Sequence, residues 1–344
     1  MLSNQILQNA VDGLKNITQK EILITDRDEI SAEAKIFFES PEENQIINGN
    51  WHFKIDGEYV LTINGDDGEA FRYGKLAVFH IQALMLAYKE RFDRDNFIKN
   101  LLLDNLLLVD IYSRAKKLRI EKNVRRVVYL VEIIGESDMG AAEILRGIFP
   151  DRQRDFITAV DETGIILVKE LPERDVEIEQ IAKTIVDTLS TEAMIRVNVA
   201  IGTIISDLKD VSSSFKEARL AQEVGKIFEA EKQIVNYEKL GIGRLIYQLP
   251  PPLCKIFINE MMHDFDIDDI DEEMFKTITL FFKNDLNVSN TARELFVHRN
   301  TLVFRLDKLQ KLTQLDLRKF TDAITFKITL MVNRYMQYRE KQYF

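Results

Sequence analysis

Along the first 75 residues the apolar positions change period twice. Ile6, Leu7, Ala10, Val11, Leu14 and Ile17 recur at helical spacing and predict an amphipathic helix. The short run Glu21 to Thr25 predicts a strand that closes at the turn Asp26-Arg27-Asp28. Trp51 to Lys54 and Tyr59 to Ile63 then alternate around Asp56-Gly57, the composition of a tight hairpin. Beyond Asn64-Gly65-Asp66-Asp67-Gly68 a new helix is expected near Tyr73-Gly74-Lys75. Within it Val78, Ile81, Met85, Tyr88 and Phe92 step by three, four, three and four until Asp95 breaks the seam. A seam of roughly two heptads fits a helix lying on its own domain as well as it fits a dimerising helix. A second apolar cluster follows at Phe97 to Asp110.

Between Glu121 and Leu240 the pattern alternates strands with helices. Strands are expected at Arg126 to Ile134, Phe156 to Val160, Gly164 to Lys169 and Ile195 to Ile204. Helices are expected at Met139 to Ile148, Val176 to Leu189 and Val211 to Phe228, the last led by Ser212-Ser213-Ser214 as capping residues. Pro250, Pro251 and Pro252 interrupt the chain, each fixing φ and withholding an N–H. The acidic run Asp264 to Glu273 follows; without a glycine for the usual calcium-loop turn it is expected to be a solvated, helix-leading segment.

Asn287 to Leu309 carries the clearest candidate chemistry. Asn287 is a good N-cap, and Ala292, Leu295 and Phe296 form an apolar stripe. A turn at Val297 and His298 leads into a second helix from about Arg299. Its inward face is Leu302, Leu306 and Leu309, and its outward face carries Arg299, Asn300, Thr301, Arg305 and Lys308. A guanidinium, an amide and a hydroxyl in one helical turn can reach base edges from the major groove. A packed helical hairpin is the plainer alternative, and charge separates the two. Met274 to Phe344 hold 13 Lys+Arg against 6 Asp+Glu, a net +7, whereas the preceding 273 residues hold 33 against 50, a net −17. A basic module on an acidic body is the footprint of a phosphate-binding domain.

These residues also carry a family resemblance. The run NVSNTARELFVHRNTLVFRLDKLQKLTQLDLRK, with its Leu315-Asp316-Leu317 step, resembles the C-terminal DNA-binding domain of the PucR/CdaR-type transcription regulators, which include sugar diacid regulators. The resemblance implies that the recognition helix maps onto His298, Arg299, Asn300, Thr301 and Leu302, with Arg305 following. It also implies a homodimer on double-stranded DNA. NQILQNAVDGL, EILITDRD and IDGEYVLTINGDDGEAFRYGKLAVF are similar to the family's sugar diacid recognition domain, which implies a small PAS-like sensory domain and a small acidic effector. Only Glu29 to Asn50 fills the space of the family's longer middle segment, and the usual pattern is not found there, so the ligand-binding residues are unknown. Arg27, Lys35, His52, Lys54, Arg72 and Lys75 are the available cations, expected mostly at the surface, and Trp51 is as consistent with core as with a pocket wall.

VAIGTIISDLKDVSSSFKEARLAQEVGKIF resembles the family's GGDEF-like domain. A cyclase of that kind needs a Gly-Gly hairpin for nucleotide and carboxylates for Mg²⁺. The corresponding hairpin reads Val160-Asp161-Glu162-Thr163-Gly164, without the paired glycines, and Glu132 is the sole acid of the first strand. No cyclase activity is expected.

The chain is thus read as an α+β multidomain protein. Residues 1–75 form a sensory domain, 76–119 a helical dimerisation linker and 120–245 a catalytically degenerate GGDEF-like α/β domain. A linker over 246–273 leads to an all-α helix-turn-helix domain at 274–344. Four scattered histidines, no glycine fingerprint and one cysteine, Cys254, argue against catalysis, a metal, a cofactor or a disulfide framework. With no leader and no apolar stretch near the ~20 residues of a membrane span, a cytoplasmic protein is expected. The alternatives are a nucleotide-binding signalling protein built on the central domain, or a regulator that has lost ligand sensing and acts through protein partners.

Overall fold

The computed structural model describes residues 4–27, 30–135, 140–159, 164–172, 177–262, 265 and 267–342. The expected positions Asp28, Met139, Val176, His263, Asp264 and Asp266, and the hairpin residues 160–163, lie outside them. The chain divides into two compact units, Met1–Asn100 and Leu101–Phe344.

The first unit contains α1 (Asn4–Thr18), β1 (Ile22–Asp26), α2 (Ala32–Glu39), β2 (Asn44–Ile47), β3 (Asn50–Ile55), β4 (Tyr59–Asn64) and most of α3 (Gly68–Leu102). The strands form an antiparallel sheet in the order β1-β4-β3-β2. Period-2 alternation sends Phe53, Ile55, Leu61 and Ile63 to one face, where Leu7 and Val11 of α1 and Ala77 and Ile81 of α3 cover them. Gly74 lets α3 close onto the sheet, since a Cβ there would sit 2.1 Å from the Phe53 ring. The other face takes α2 through Phe37, packed with Val60. The stretch Glu29 to Asn50, which showed no pattern in the sequence, therefore holds a helix, capped by Ser31, and an edge strand.

α3 decides between the two readings of the seam for Val78, Ile81 and Met85. Ile81 is buried, and Val78 and Met85 pack into the sheet core, so this stripe faces the helix's own domain. The exposed apolar stripe lies on the opposite side: Leu76, Phe79 and Leu86, with Ala83 between them, again spaced three, four, three.

The second unit begins with α4 (Leu108–Lys117) and a sheet built from β5 (Arg126–Ile134), β6 (Phe156–Ala159), β7 (Gly164–Glu170), β8 (Arg196–Ile201) and β9 (Ile234–Asn236), in the order β6-β7-β5-β8-β9. β5 is central and reads as a continuous apolar run because both its faces are covered. α5 (Gly140–Ile148) and α6 (Ile178–Glu192) fill one face through Leu145, Ala182, Ile185 and Leu189. α7 (Val211–Phe228) lies against β5 and β8 through buried Phe215, Ala218 and Ala221. The serines Ser212 to Ser214 lie inside its first turn and are not its N-cap, which is Asp210. Ser214 Oγ donates to the Thr203 carbonyl at 2.8 Å and accepts from Val128 N at 3.1 Å, which pins the helix to the sheet. Gly202 permits that approach, because a Cβ there would fall 2.1 Å from the Ser214 carbonyl oxygen.

The remaining helices are α8 (Ile242–Tyr247), α9 (Pro251–Met262), α10 (Glu272–Lys283), α11 (Val288–Glu294), α12 (Arg299–Thr313) and α13 (Phe320–Gln342). Most of the described part of the stretch read as a linker over 246–273 is thus taken up by α9. Pro251 and Pro252 occupy the first turn of α9, where a missing N–H costs nothing. α9 packs on α13, and Cys254 is buried beside Val332, Tyr335 and Met336, with its thiol pushed up by that burial. α13 spans two cores: Phe326 belongs to that of α10–α12, and Tyr335 to that of α7–α9. The Tyr338 hydroxyl donates to the Glu223 carboxylate of α7 at 2.9 Å; burial, then that carboxylate, pushes the phenol up to about 12.

Candidate nucleic-acid interface

α10, α11 and α12 form a three-helix unit closed by α13. Asp271 caps α10 by accepting from Met274 N at 2.7 Å. Asn287 caps α11, accepting from Ser289 N and Asn290 N at 3.0 Å each. α11 stops at Leu295 and the chain turns through Phe296 in the left-handed region (φ 56°), where the Phe296 and Val297 amides bond back to Arg293 and Ala292 carbonyls. His298 opens α12, its Nδ1 accepting from Asn300 N at 3.3 Å.

Leu302, Leu306 and Leu309 are buried against Ala292, Phe281 and Phe326, so the back of α12 is fixed by apolar packing. His298, Arg299, Asn300, Thr301 and Lys308 are all exposed. The first turn of α12 therefore presents an imidazole, a guanidinium, an amide and a hydroxyl, at a helix end that favours anions.

Arg305 is placed differently from the expectation that it stands on the outward face. Its side chain is only 15% exposed; Nη1 donates to Thr277 Oγ1 at 2.9 Å and Nη2 to the Glu273 carboxylate, both on α10. An arginine held this way orients α12 rather than reaching outward. Its partners lie 28 and 32 residues upstream, beyond any local sequence signal.

Two aromatic residues, one unassigned and one assigned inward from the sequence, stand exposed. Phe304 is 69% exposed on the same line of α12 as Asn300 and Lys308, at i and i+4 spacing. Phe296 is 96% exposed at the turn, although the sequence assigns it to the apolar stripe of α11. The left-handed backbone swings its side chain out. Because that side chain covers nothing and its backbone suits glycine, Phe296→Gly is expected to change stability by less than about 1 kcal/mol. Thermal melting of the variant checks this, and a large drop would mean that the ring is buried against something in solution.

Other candidate sites are occupied by structure. Glu132 forms an ion pair with Lys226 at 2.8 Å instead of standing free for a metal. Among the described residues no group of three or more His, Cys, Asp or Glu is placed to hold a metal ion, and no helix is long and apolar enough to cross a membrane. In the first unit Arg27 lies over Phe38, Lys75 over Phe71 and Lys54 over Phe37. His52 meets Thr62 Oγ1 at 3.0 Å, and burial holds its imidazole below the usual value.

Comparison with known proteins matches these regions. Residues 274–332 match the PucR C-terminal helix-turn-helix domain, and residues 105–224 match the GGDEF-like domain. The chain is 22% identical over 309 residues to the carbohydrate diacid regulator of Escherichia coli, covering 83% of this chain and 79% of that protein. It is 27% identical over 139 residues to the purine catabolism regulatory protein of Bacillus subtilis, covering 40% of this chain and 26% of that one. Among solved structures, the regulator of polyketide synthase expression from Bifidobacterium adolescentis is similar over 72% of this chain and 93% of that one, with 14% identity and a TM-score of 0.37.

Proposed function

Because the chain belongs to the PucR/CdaR-type transcription regulators, we propose that it reads duplex DNA as a cytoplasmic homodimer, through α12, under the control of a small organic acid. One observation carries the DNA-reading part: the buried leucines of α12 hold Arg299, Asn300 and Thr301 out into solvent in a single turn. In this reading His298, Arg299, Asn300 and Thr301 meet base edges or adjoining phosphates, and Lys308 meets a phosphate. Phe304 offers its ring to a thymine methyl. Arg305 sets the pitch of the helix through Glu273 and Thr277. The four-stranded unit, read as PAS-like, is the sensor, and the degenerate GGDEF-like domain transmits its state without catalysis.

Selection of bound sequences from random duplexes, with purified protein, tests this directly. Arg299→Ala is expected to weaken binding to the selected site by about 1–3 kcal/mol if the guanidinium pairs with a guanine. Lys308→Ala should weaken all sequences alike and lower the salt slope by roughly one. Unchanged affinity of Arg299→Ala at physiological salt would remove Arg299 from the base-reading set.

The exposed stripe of α3 supports the dimer. Leu76, Phe79, Ala83 and Leu86 keep coiled-coil spacing on the side away from the sheet, so a second copy of the same helix can match them position for position. Leu86→Glu is expected to weaken the dimer at least about tenfold without unfolding the unit, since it sets like charges across the seam. Sedimentation against concentration checks it; an unaltered dimer would place the interface elsewhere.

A further inference from the structure

We infer that the cleft between the GGDEF-like domain and the DNA reader binds an organic anion with an apolar body, a carboxylate on an aromatic ring or alkyl chain. The cleft has a volume of about 880 Å³, within the range of small-molecule sites. Its reader-side wall has an apolar floor, Ile278 and Phe282 from α10 and Leu330 and Met331 from α13, with polar Thr279, Asn333 and Gln337 beside it. The opposite wall comes from α7 and α8, through Val224, Phe228 and Ile242.

The charge at its edge selects the occupant. Among the described residues Lys283, Lys327 and Arg334 line it, with Glu229 as the acid. Glu229 is paired with Lys232 at 2.9 Å and Lys283 with Glu294 at 2.8 Å. Lys327 lies over the Phe282 ring, 5.6 Å from its centroid, and Arg334 is exposed on the next turns of the same helix, α13. Two cations beside an apolar floor fit an anionic head on an apolar body better than a neutral lipid or a sugar. Every lining residue belongs to the second unit, so the site is additional to any effector bound by the first.

The cleft is also coupled to the reader. α10 gives Ile278 and Phe282 to its wall and, on its other side, Glu273 and Thr277 to Arg305 of α12. An occupant that shifts α10 therefore shifts the hold on the recognition helix. This last step rests on the DNA-reading proposal; anion binding does not.

The test uses the full chain and 1-anilinonaphthalene-8-sulfonate, a fluorescent apolar anion. Saturable binding of one probe per chain is expected, displaced by decanoate and at least about tenfold less well by decanol. Arg334→Gln and Lys327→Gln, both surface changes, should each weaken the probe roughly tenfold. Affinity unchanged from the wild type in both variants, or equal displacement by the neutral alcohol, overturns the site. So does a Met331→Glu chain that becomes monomeric while the wild type excludes the probe, because a second copy would then fill the cleft. With the probe saturating, affinity for the selected DNA should change at least threefold. Binding without that change overturns the coupling, whereas probe binding by a chain with no affinity for any DNA refutes the DNA reading and leaves the anion site standing.

Discussion

Replacing Glu170 by glutamine is expected to lower the unfolding free energy of the central domain by about 3–5 kcal/mol. Arg126 on β5 is 1% exposed, and its Nη2 meets the Glu170 carboxylate of β7 at 3.3 Å. Its Nε and Nη1 are buried without a hydrogen-bond partner, so Glu170 is the main compensation for a desolvated cation. Burial already pushes the guanidinium down from its usual value, which marks the cost of holding it there. Removing the carboxylate charge leaves that cost and deletes what offsets it. Urea unfolding should show the loss, and Arg126→Met on the Glu170→Gln background should recover part of it. Glu143→Gln, which breaks the more exposed pair with Arg146, should cost under about 1 kcal/mol. Equal small effects from Glu143→Gln and Glu170→Gln would show that water reaches Arg126.

The second large effect concerns the reader itself. Leu302→Ala is expected to destabilise the α10–α13 core by about 2–5 kcal/mol, through lost burial and the cavity left behind. Leu302 is fully buried beside Leu306, Phe281 and Phe326, so the site has little room to collapse. DNA binding should fall with the folded fraction and return on cooling. Phe304→Ala, two residues on and on the exposed face, should leave the melting temperature within about 2 °C while reducing affinity. A Leu302→Ala protein that melts like the wild type would mean that α12 is held from elsewhere.

The two helices of the reader were legible because their signals are local. Asn287 caps within three residues, and Leu302, Leu306 and Leu309 declare the buried face by spacing alone. The central strands were legible for a related reason: a strand covered on both faces needs an unbroken apolar run, as in β5. α3 shows the limit. It carries two apolar stripes with the same three-four spacing, and periodicity cannot tell which one a sheet covers. The prolines misled for the opposite reason. They break a helix in its interior but suit its first turn, and α9 uses them there.

By itself, then, the sequence determined the paired helices α11 and α12 and the central strands, which face of α12 is buried, and which end of the chain is basic. Each of these depends on neighbours a few residues apart or on a plain sum of charges. Only the tertiary structure decided that Arg305 turns inward to Glu273 and Thr277, that Phe304 stands outward beside Asn300, and that α10, α13, α7 and α8 enclose a cleft. Those outcomes depend on groups tens of residues apart competing for the same space, and a linear pattern carries no record of that competition.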